Sequence, residues 1–303
     1  MAGRGPSVSC GPMPFRDASR HTRSRRVTAG AALVLGGLVA ACSPTEPAAG
    51  PATTATSTLR TVTVRAEVVG TLPHDPTAFT QGLELHDGVL IESTGLVGFS
   101  SLRVTDLRTG DERRVTVPPP HFAEGATVVG DLIVQLTWRT GVAFTYDRSS
   151  LAPGPTFRYA GEGWGICDDG TRLVQSDGSA RLTFRARDTF AVIGHIDVVD
   201  DEGRPVRRLN ELECVPPTGG TLRPPLSAAG PTVWANVWQT DTVVGIDPTT
   251  GAVRAELDVA ALRPPGAGPD DVANGIALDR SDGTLLLTGK RWPLIHRVRL
   301  TSG

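Results

Sequence analysis

From Leu59 onward the chain alternates between short apolar runs and turns. Asp87-Gly88 leads into Val89-Leu90-Ile91-Glu92, then Leu102-Arg103-Val104 and a second turn at Asp106-Leu107-Arg108-Thr109-Gly110. The same order recurs from Gly130-Asp131 through Leu132-Ile133-Val134-Gln135 to Phe144-Thr145-Tyr146-Asp147, and from Asp169-Gly170 through Arg172-Leu173-Val174-Gln175 to Leu182-Thr183-Phe184. A fourth copy holds Val233-Trp234-Ala235-Asn236 and Val243-Val244-Gly245-Ile246-Asp247; a fifth holds Leu285-Leu286-Leu287 and Leu294-Ile295-His296-Arg297-Val298. Short apolar runs bounded by Gly and Asp are strands rather than helices. The copies begin 43 and 39 residues apart, then about 61 and about 52, the wider intervals holding the Pro/Gly-rich loops at 216–231 and 264–269. Repeats of this length with several strands each are propeller blades. The predicted fold is therefore all-β, a five-bladed β-propeller. Its fifth copy lacks a final strand after Leu300, and the alternating stretch 61–68 supplies it, so the N-terminal strand closes the ring and leaves no open sheet edge.

Ahead of the repeats, Arg23, Arg25 and Arg26 precede an apolar run over 29–41 that ends at Cys42. A basic stretch followed by a short apolar one is an export signal, and this run falls short of the roughly 20 residues that span a bilayer. Val39-Ala40-Ala41-Cys42 is similar to the bacterial lipobox, whose cysteine is lipidated and becomes the mature N-terminus. The expected organisation is a signal peptide over 1–41, lipidated Cys42 with a Pro/Ala/Thr-rich tether over 42–58, and one domain over 59–303. The protein is expected outside the cell, held to the outer face of the bacterial membrane through lipid alone. An ordinary signal peptide with Cys42 incidental is the alternative.

Charge narrows the partners. Residues 1–42 hold six arginines and one acid, leaving 24 basic against 31 acidic residues and a balance of −7 beyond them. Such a domain has no electrostatic footprint for nucleic acid, and a monomer is expected. Cys167 and Cys214 remain outside the leader; in an oxidising compartment they form a disulfide or stay as two buried thiols, and both readings stand. His21, His74, His86, His121, His195 and His296 are scattered, with no i,i+4 pair, so no metal site and no cofactor is expected.

Candidate chemistry sits in polar segments ahead of each apolar run. They are His74-Asp75-Pro76-Thr77-Ala78-Phe79-Thr80-Gln81-Gly82, Phe122-Ala123-Glu124-Gly125, Gly161-Glu162-Gly163-Trp164-Gly165, Leu209-Asn210-Glu211-Leu212-Glu213 and Asp271-Val272-Ala273-Asn274-Gly275-Ile276. Recurrence at one phase of the repeat aims their side chains at a common axis. A second ring comes from the far ends of the runs, at Thr94-Gly95, Thr137-Trp138, Ser176-Asp177, Val237-Trp238 and Gly289-Lys290.

With Glu92-Ser93-Thr94-Gly95-Leu96, Gln135-Leu136-Thr137-Trp138, Ala235-Asn236-Val237-Trp238-Gln239-Thr240-Asp241 and Thr288-Gly289-Lys290-Arg291-Trp292-Pro293, these segments resemble the plant- and bacterial-type glutaminyl cyclase family across 70–293. The resemblance implies an acyltransferase that turns the N-terminal glutamine of a peptide or protein into pyroglutamate and releases ammonia. The nucleophile is tethered to its target, so catalysis reduces to fixing a rotamer and moving a proton. Glu124 is the implied shuttle, its pKa lifted by Phe122 beside it. Lys290 and Asn210 are expected to donate to the developing oxyanion, and Gln81 to orient the substrate. Phe79, Phe122, Trp138, Trp164 and Trp238 are expected to bind the substrate and wall the pocket, with Trp234 in the core. Two rivals stand beside this: a non-catalytic binding propeller, and a calcium-dependent propeller hydrolase or lactonase built on Glu124, Asn210 and Asn274.

Overall fold

Turn chemistry sets the strand breaks. Asp87 and Gly88 both take positive φ, 51° and 78°, the geometry that reverses a chain in step with strand twist. Through it β2 (Thr80–His86) returns as β3 (Val89–Thr94), and β4 (Ser101–Asp106) and β5 (Glu112–Thr116) complete an antiparallel sheet. The meander recurs as β6 (Ala123–Val129), β7 (Leu132–Thr137), β8 (Val142–Asp147) and β9 (Phe157–Arg158), then as β10 (Ile166–Asp168), β11 (Leu173–Ser176), β12 (Arg181–Arg185) and β13 (Val192–Asp197). The computed structural model describes residues 60–216 and 230–302; among them one short 3-10 turn, Ala260–Leu262, is the sole helical element. The predicted signal peptide, Cys42 and the tether up to residue 58 lie outside the described residues.

Two further meanders, β14 (Leu209–Val215) to β17 (Val253–Asp258) by way of β15 (Thr232–Val237) and β16 (Thr242–Ile246), and β18 (Ala273–Asp279), β19 (Thr284–Gly289) and β20 (Leu294–Ser302), are joined by β1 (Val62–Pro73). The result is one eight-stranded sheet ordered β14-β15-β16-β17-β1-β20-β19-β18. β1 runs antiparallel to β20 from Val64 opposite Ser302 to Pro73 opposite Leu294. It meets β17 in parallel at Val62, Thr63 and Val64. The N-terminal strand thus lies beside the last strand, and it extends past 61–68 through a bulge between Val68 and Gly70.

The apolar runs are not the first strands of their sheets. Each is the second strand, and the polar segment before it leads into or forms the start of the innermost strand. The alternation that marks a strand is missing there because glycines and polar groups occupy the positions facing the axis. Close packing of backbones explains the glycines: a Cβ on Gly125 would stand 2.7 Å from the Trp164 carbonyl oxygen, and one on Gly165 2.1 Å from that of Asn210. No other residue fits such an approach.

Apolar side chains fill the spaces between neighbouring meanders. Ile91 and Leu102 cluster with Val128 and Ile133, Leu136 with Leu173 and Phe190, and Leu182 with Leu212 and Val233. Trp234 and Leu257 cluster with Ile276 and Leu285, as expected of a core tryptophan. A further cluster joins Leu83 and Leu90 to Ala277 and Leu286, first meander to last, so the sheets stand around an axis in a propeller-like arrangement. Cys167 and Cys214 are bonded across one of these spaces, linking β10 to β14.

Burying carboxyl groups near the axis has a cost in pH range. Glu84 accepts from the Val128 backbone at 3.0 Å, yet burial pushes its pKa from 4.5 up to about 7. The folded state keeps a proton that the unfolded chain sheds near 4.5. Stability from this group is complete below that pH and is lost as pH rises toward about 7. In urea titrations at a series of pH values, Glu84→Gln is expected to flatten the fall across that window; an unchanged slope would remove burial as its cause. The Cys167–Cys214 bond spans a sequence separation of 47, and the Cys167→Ser/Cys214→Ser variant is expected to lose about 2–4 kcal/mol of unfolding free energy in the same assay.

Candidate active site

Four innermost strands carry a bulge at the same level. Between paired positions, β2 inserts Gln81, β6 sets Glu124 and Gly125 against one residue, β14 does so with Asn210 and Glu211, and β18 with Asn274 and Gly275. A bulge breaks the alternation of side chains and re-aims one of them. Gln81, Glu124 and Asn210 are thereby turned into a single cavity of about 280 Å³, joined by Trp164 from the segment leading into β10.

The ends of the second strands supply the walls. Trp138 follows β7, Trp238 follows β15 and Lys290 follows β19, and all three line the same cavity together with Phe79 and Phe122. Every residue predicted for catalysis or substrate binding therefore reaches one basin. The other two predicted far ends do different work: Leu96 rather than Gly95 reaches the cavity after β3, and Ser176 bonds neighbouring inner strands, with Gly165 N donating to its Oγ at 2.7 Å and its hydroxyl donating to Asn210 O at 2.6 Å.

Side-chain amides form a chain across the floor. Asn210 Nδ2 donates to Asn274 Oδ1 at 2.8 Å; Asn274 Nδ2 donates to Thr80 O at 3.0 Å and Gln81 Oε1 at 3.3 Å; Gln81 Nε2 donates to Glu124 Oε1 at 3.3 Å. Asn274, which the sequence aimed at the axis but placed in the site only in the calcium-dependent rival, is the link between Asn210 and Gln81. Asn210 Oδ1 is buried without a hydrogen-bond partner among the described residues, an acceptor left open beside the cavity.

The walls are fixed from behind. Phe79 meets Phe122 edge-on at 6.2 Å, Phe122 meets Trp138 at 5.7 Å, and Trp164 meets Trp238 at 5.4 Å with planes 85° apart. Glu162 accepts from the indole N–H of Trp138 at 2.7 Å and of Trp164 at 3.0 Å, and from Arg139 at 2.8 Å. Partial burial raises the Glu162 pKa, but the donors outweigh it and hold the carboxyl below its ordinary range. Its motif, Gly161-Glu162-Gly163-Trp164-Gly165, does not by itself assign Glu162 a role. Nothing local marks a glutamate as the partner of two indoles from different meanders.

Glu124 and Lys290 are buried, 5% and 4% exposed. Burial raises the Glu124 carboxyl well above its ordinary range, with the Lys290 charge acting against the shift and Glu162 adding to it. Burial likewise takes Lys290 down to about 8, opposed by the charges of Glu124 and Asp270. Lys290 Nζ lies 4.8 Å from the centre of the Phe79 ring. Its turn is held by Lys290 N donating to Val272 O at 2.9 Å and Arg291 N to Ala78 O at 2.7 Å. Trp292, beside it, is core: 1% exposed, with Nε1 donating to Asp271 O at 2.9 Å. No group of three or more His, Cys, Asp or Glu side chains among the described residues is placed to hold a metal ion.

The family model for glutamine cyclotransferase matches residues 38–300. A glutaminyl-peptide cyclotransferase from Arabidopsis thaliana is 39% identical over 242 residues, 77% of this chain and 71% of that one. The crystal structure of Myxococcus xanthus glutaminyl cyclase matches with a TM-score of 0.70 and 36% identity, over 80% of this chain and 100% of that one. By a match that spans nearly the whole chain, and by relatives at this identity in sequence and in structure, the chain belongs to the glutamine cyclotransferase family.

Proposed function

We propose that the basin takes the N-terminal glutamine of a peptide or protein and closes it to pyroglutamate, with Glu124 moving the proton. The observation that carries this reading is the convergence of one buried carboxyl and one buried ammonium on a single aromatic-walled cavity.

The chemistry follows from the placement. The α-amine attacks the side-chain amide carbon, a C–N bond forms, and negative charge collects on the amide oxygen. Lys290 stabilises that charge as an ammonium, in a site where water does not screen it. Glu124, as carboxylate, takes the proton that the amine sheds and returns it to the side-chain nitrogen; that C–N bond breaks and ammonia leaves. A carboxyl lifted above its ordinary range by burial holds a proton more readily than an ordinary one, which suits the return of that proton to the leaving nitrogen. Gln81 holds Glu124 through its Nε2 rather than reading substrate alone. Since Asn210 Nδ2 is committed to Asn274, its open Oδ1 suits a substrate N–H, which leaves the oxyanion to Lys290. The indoles of Trp138, Trp164 and Trp238 exclude water from competing with the amine and hold the glutamine in the rotamer that cyclises.

The reading extends to the whole chain. The three four-stranded sheets and the two meanders joined by β1 make a five-bladed ring, and the protein acts as an exported lipoprotein anchored through Cys42, working as a monomer.

Incubating the protein with a glutaminyl dipeptide is expected to release one ammonia per peptide, with the product lighter by that mass; no release would end the proposal. Glu124→Gln keeps the shape of the side chain and removes its proton exchange, and is expected to lower kcat by about 10³-fold with KM little changed. The pH profile adds a separate check. Lys290 acts only as ammonium, so kcat is expected to fall as pH rises through about 8. A profile flat through that region would remove Lys290 from the role.

A further inference from the structure

Beside the basin the chain makes a tight turn, Leu96-Val97-Gly98-Phe99, whose apolar side chains face water. Val97 is 52% exposed and Phe99 81% exposed, while Leu96 lines the basin itself. Leu96 takes φ of 86°, a conformation unfavourable for a side chain of its kind and kept only where surroundings enforce it. They do so here: Phe99 N donates to Leu96 O at 2.9 Å, Ser100 Oγ to the same oxygen at 2.8 Å, and Ala123 N to Ser100 Oγ at 3.1 Å. The turn is also seated directly on the basin wall. Gly95 N donates to Phe79 O at 2.8 Å, and the Phe122 ring approaches so closely that a Cβ on Gly95 would stand 2.3 Å from it. Elsewhere the wall ends in charge: Arg139 lies 3.7 Å over the Trp138 ring, and Asp270 lines the cavity near Lys290.

We infer that this turn is an apolar subsite for the residues that follow the substrate's glutamine, taking an aliphatic or aromatic side chain at the second or third position. The inference rests on the cyclisation reading, which puts the glutamine in the basin and makes the rest of the peptide leave past its rim. Reach agrees with that placement. An extended peptide advances about 3.3–3.6 Å per residue, and the ends of a four-residue turn lie within about 7 Å. A peptide that leaves past Leu96 thus has its second and third residues within reach of Val97 and Phe99. A fixed apolar surface continuous with the site gains from covering by an apolar side chain and loses from covering by a charged one.

Steady-state kinetics on Gln-Gly-Gly, Gln-Phe-Gly and Gln-Gly-Phe amides test this. Wild-type kcat/KM is expected to favour a phenylalanine peptide over Gln-Gly-Gly by about tenfold. In Val97→Ser/Phe99→Ser that ratio is expected to fall to about one, while Val192→Ser, at another exposed apolar position, keeps it. A ratio near one in the wild type, or one retained in the double variant, overturns the subsite. So does a double variant that keeps the ratio but no longer sediments with phosphatidylglycerol vesicles, which would make the turn a membrane contact. Ammonia from none of the peptides, Gln-Gly-Gly included, would instead end the cyclisation reading on which the subsite rests.

Discussion

Water is squeezed out where the innermost strands meet, and the properties of the site descend from that exclusion. Backbones pack there at glycine distance, so a polar group at the axis either finds a protein partner or keeps its proton. Glu211 illustrates the structural outcome. It stands where other inner strands place glycine, and its carboxyl accepts from Leu83 N at 3.2 Å and Ile276 N at 2.8 Å, from strands of two other meanders. Burial nonetheless lifts its pKa well above the ordinary range. Glu124 meets the same exclusion with one amide and the charge of Lys290 for company, and with its other side open to the basin. The first carboxyl is committed to joining strands; the second keeps a side open to the basin.

A second division of labour runs between Glu124 and Glu162. The two carboxyls belong to one site, yet their environments drive them apart, one upward by burial and one downward by three donors. The one held low secures the two indoles; the one held high is the proposed proton carrier. Such separation lets two nearby carboxyls take different roles. Lys290 gains from the same arrangement. It lines the basin with Glu124 and is itself buried, so its charge is directed into the basin rather than lost to solvent.

Repeat spacing made the fold legible, because each meander needs the same turn chemistry and the same apolar second strand. Val89, Leu132 and Leu173 announce themselves in this way. Inner strands do not, since residues such as Gln81-Gly82 and Glu124-Gly125 serve the axis and abandon alternation. Phase within the repeat nevertheless led to the basin, and side chains as far apart in sequence as Phe79 and Lys290 line it together. What stayed hidden was partnership. The choice of Glu162 for Trp138 and Trp164, and of Asn274 for Asn210 and Gln81, depends on contacts between meanders that no local pattern encodes. Open readings of the cysteines had the same origin: the sequence placed Cys167 and Cys214 in adjacent repeats, but pairing depends on β10 and β14 facing each other across one core space.

Closing the ring and placing the lysine are one structural event. His74, just past β1, accepts nothing: Nδ1 lies 2.6 Å from Trp292 O and Nε2 2.9 Å from Glu92 Oε1, so both nitrogens face acceptors and the imidazolium satisfies both. Burial pulls its pKa down, but the hydrogen bond and charge of Glu92, with the Trp292 carbonyl, prevail and raise it. His74 N also donates to Pro293 O at 2.9 Å. The turn that carries Lys290 is thus fastened to the end of the N-terminal strand and to β3 at once. Were β1 to part from β20, the fastening would go with it, and Lys290 would lose its fixed distance from Glu124. An open sheet edge would expose the protein to aggregation; here it would also separate the two charges on which the proposed chemistry depends.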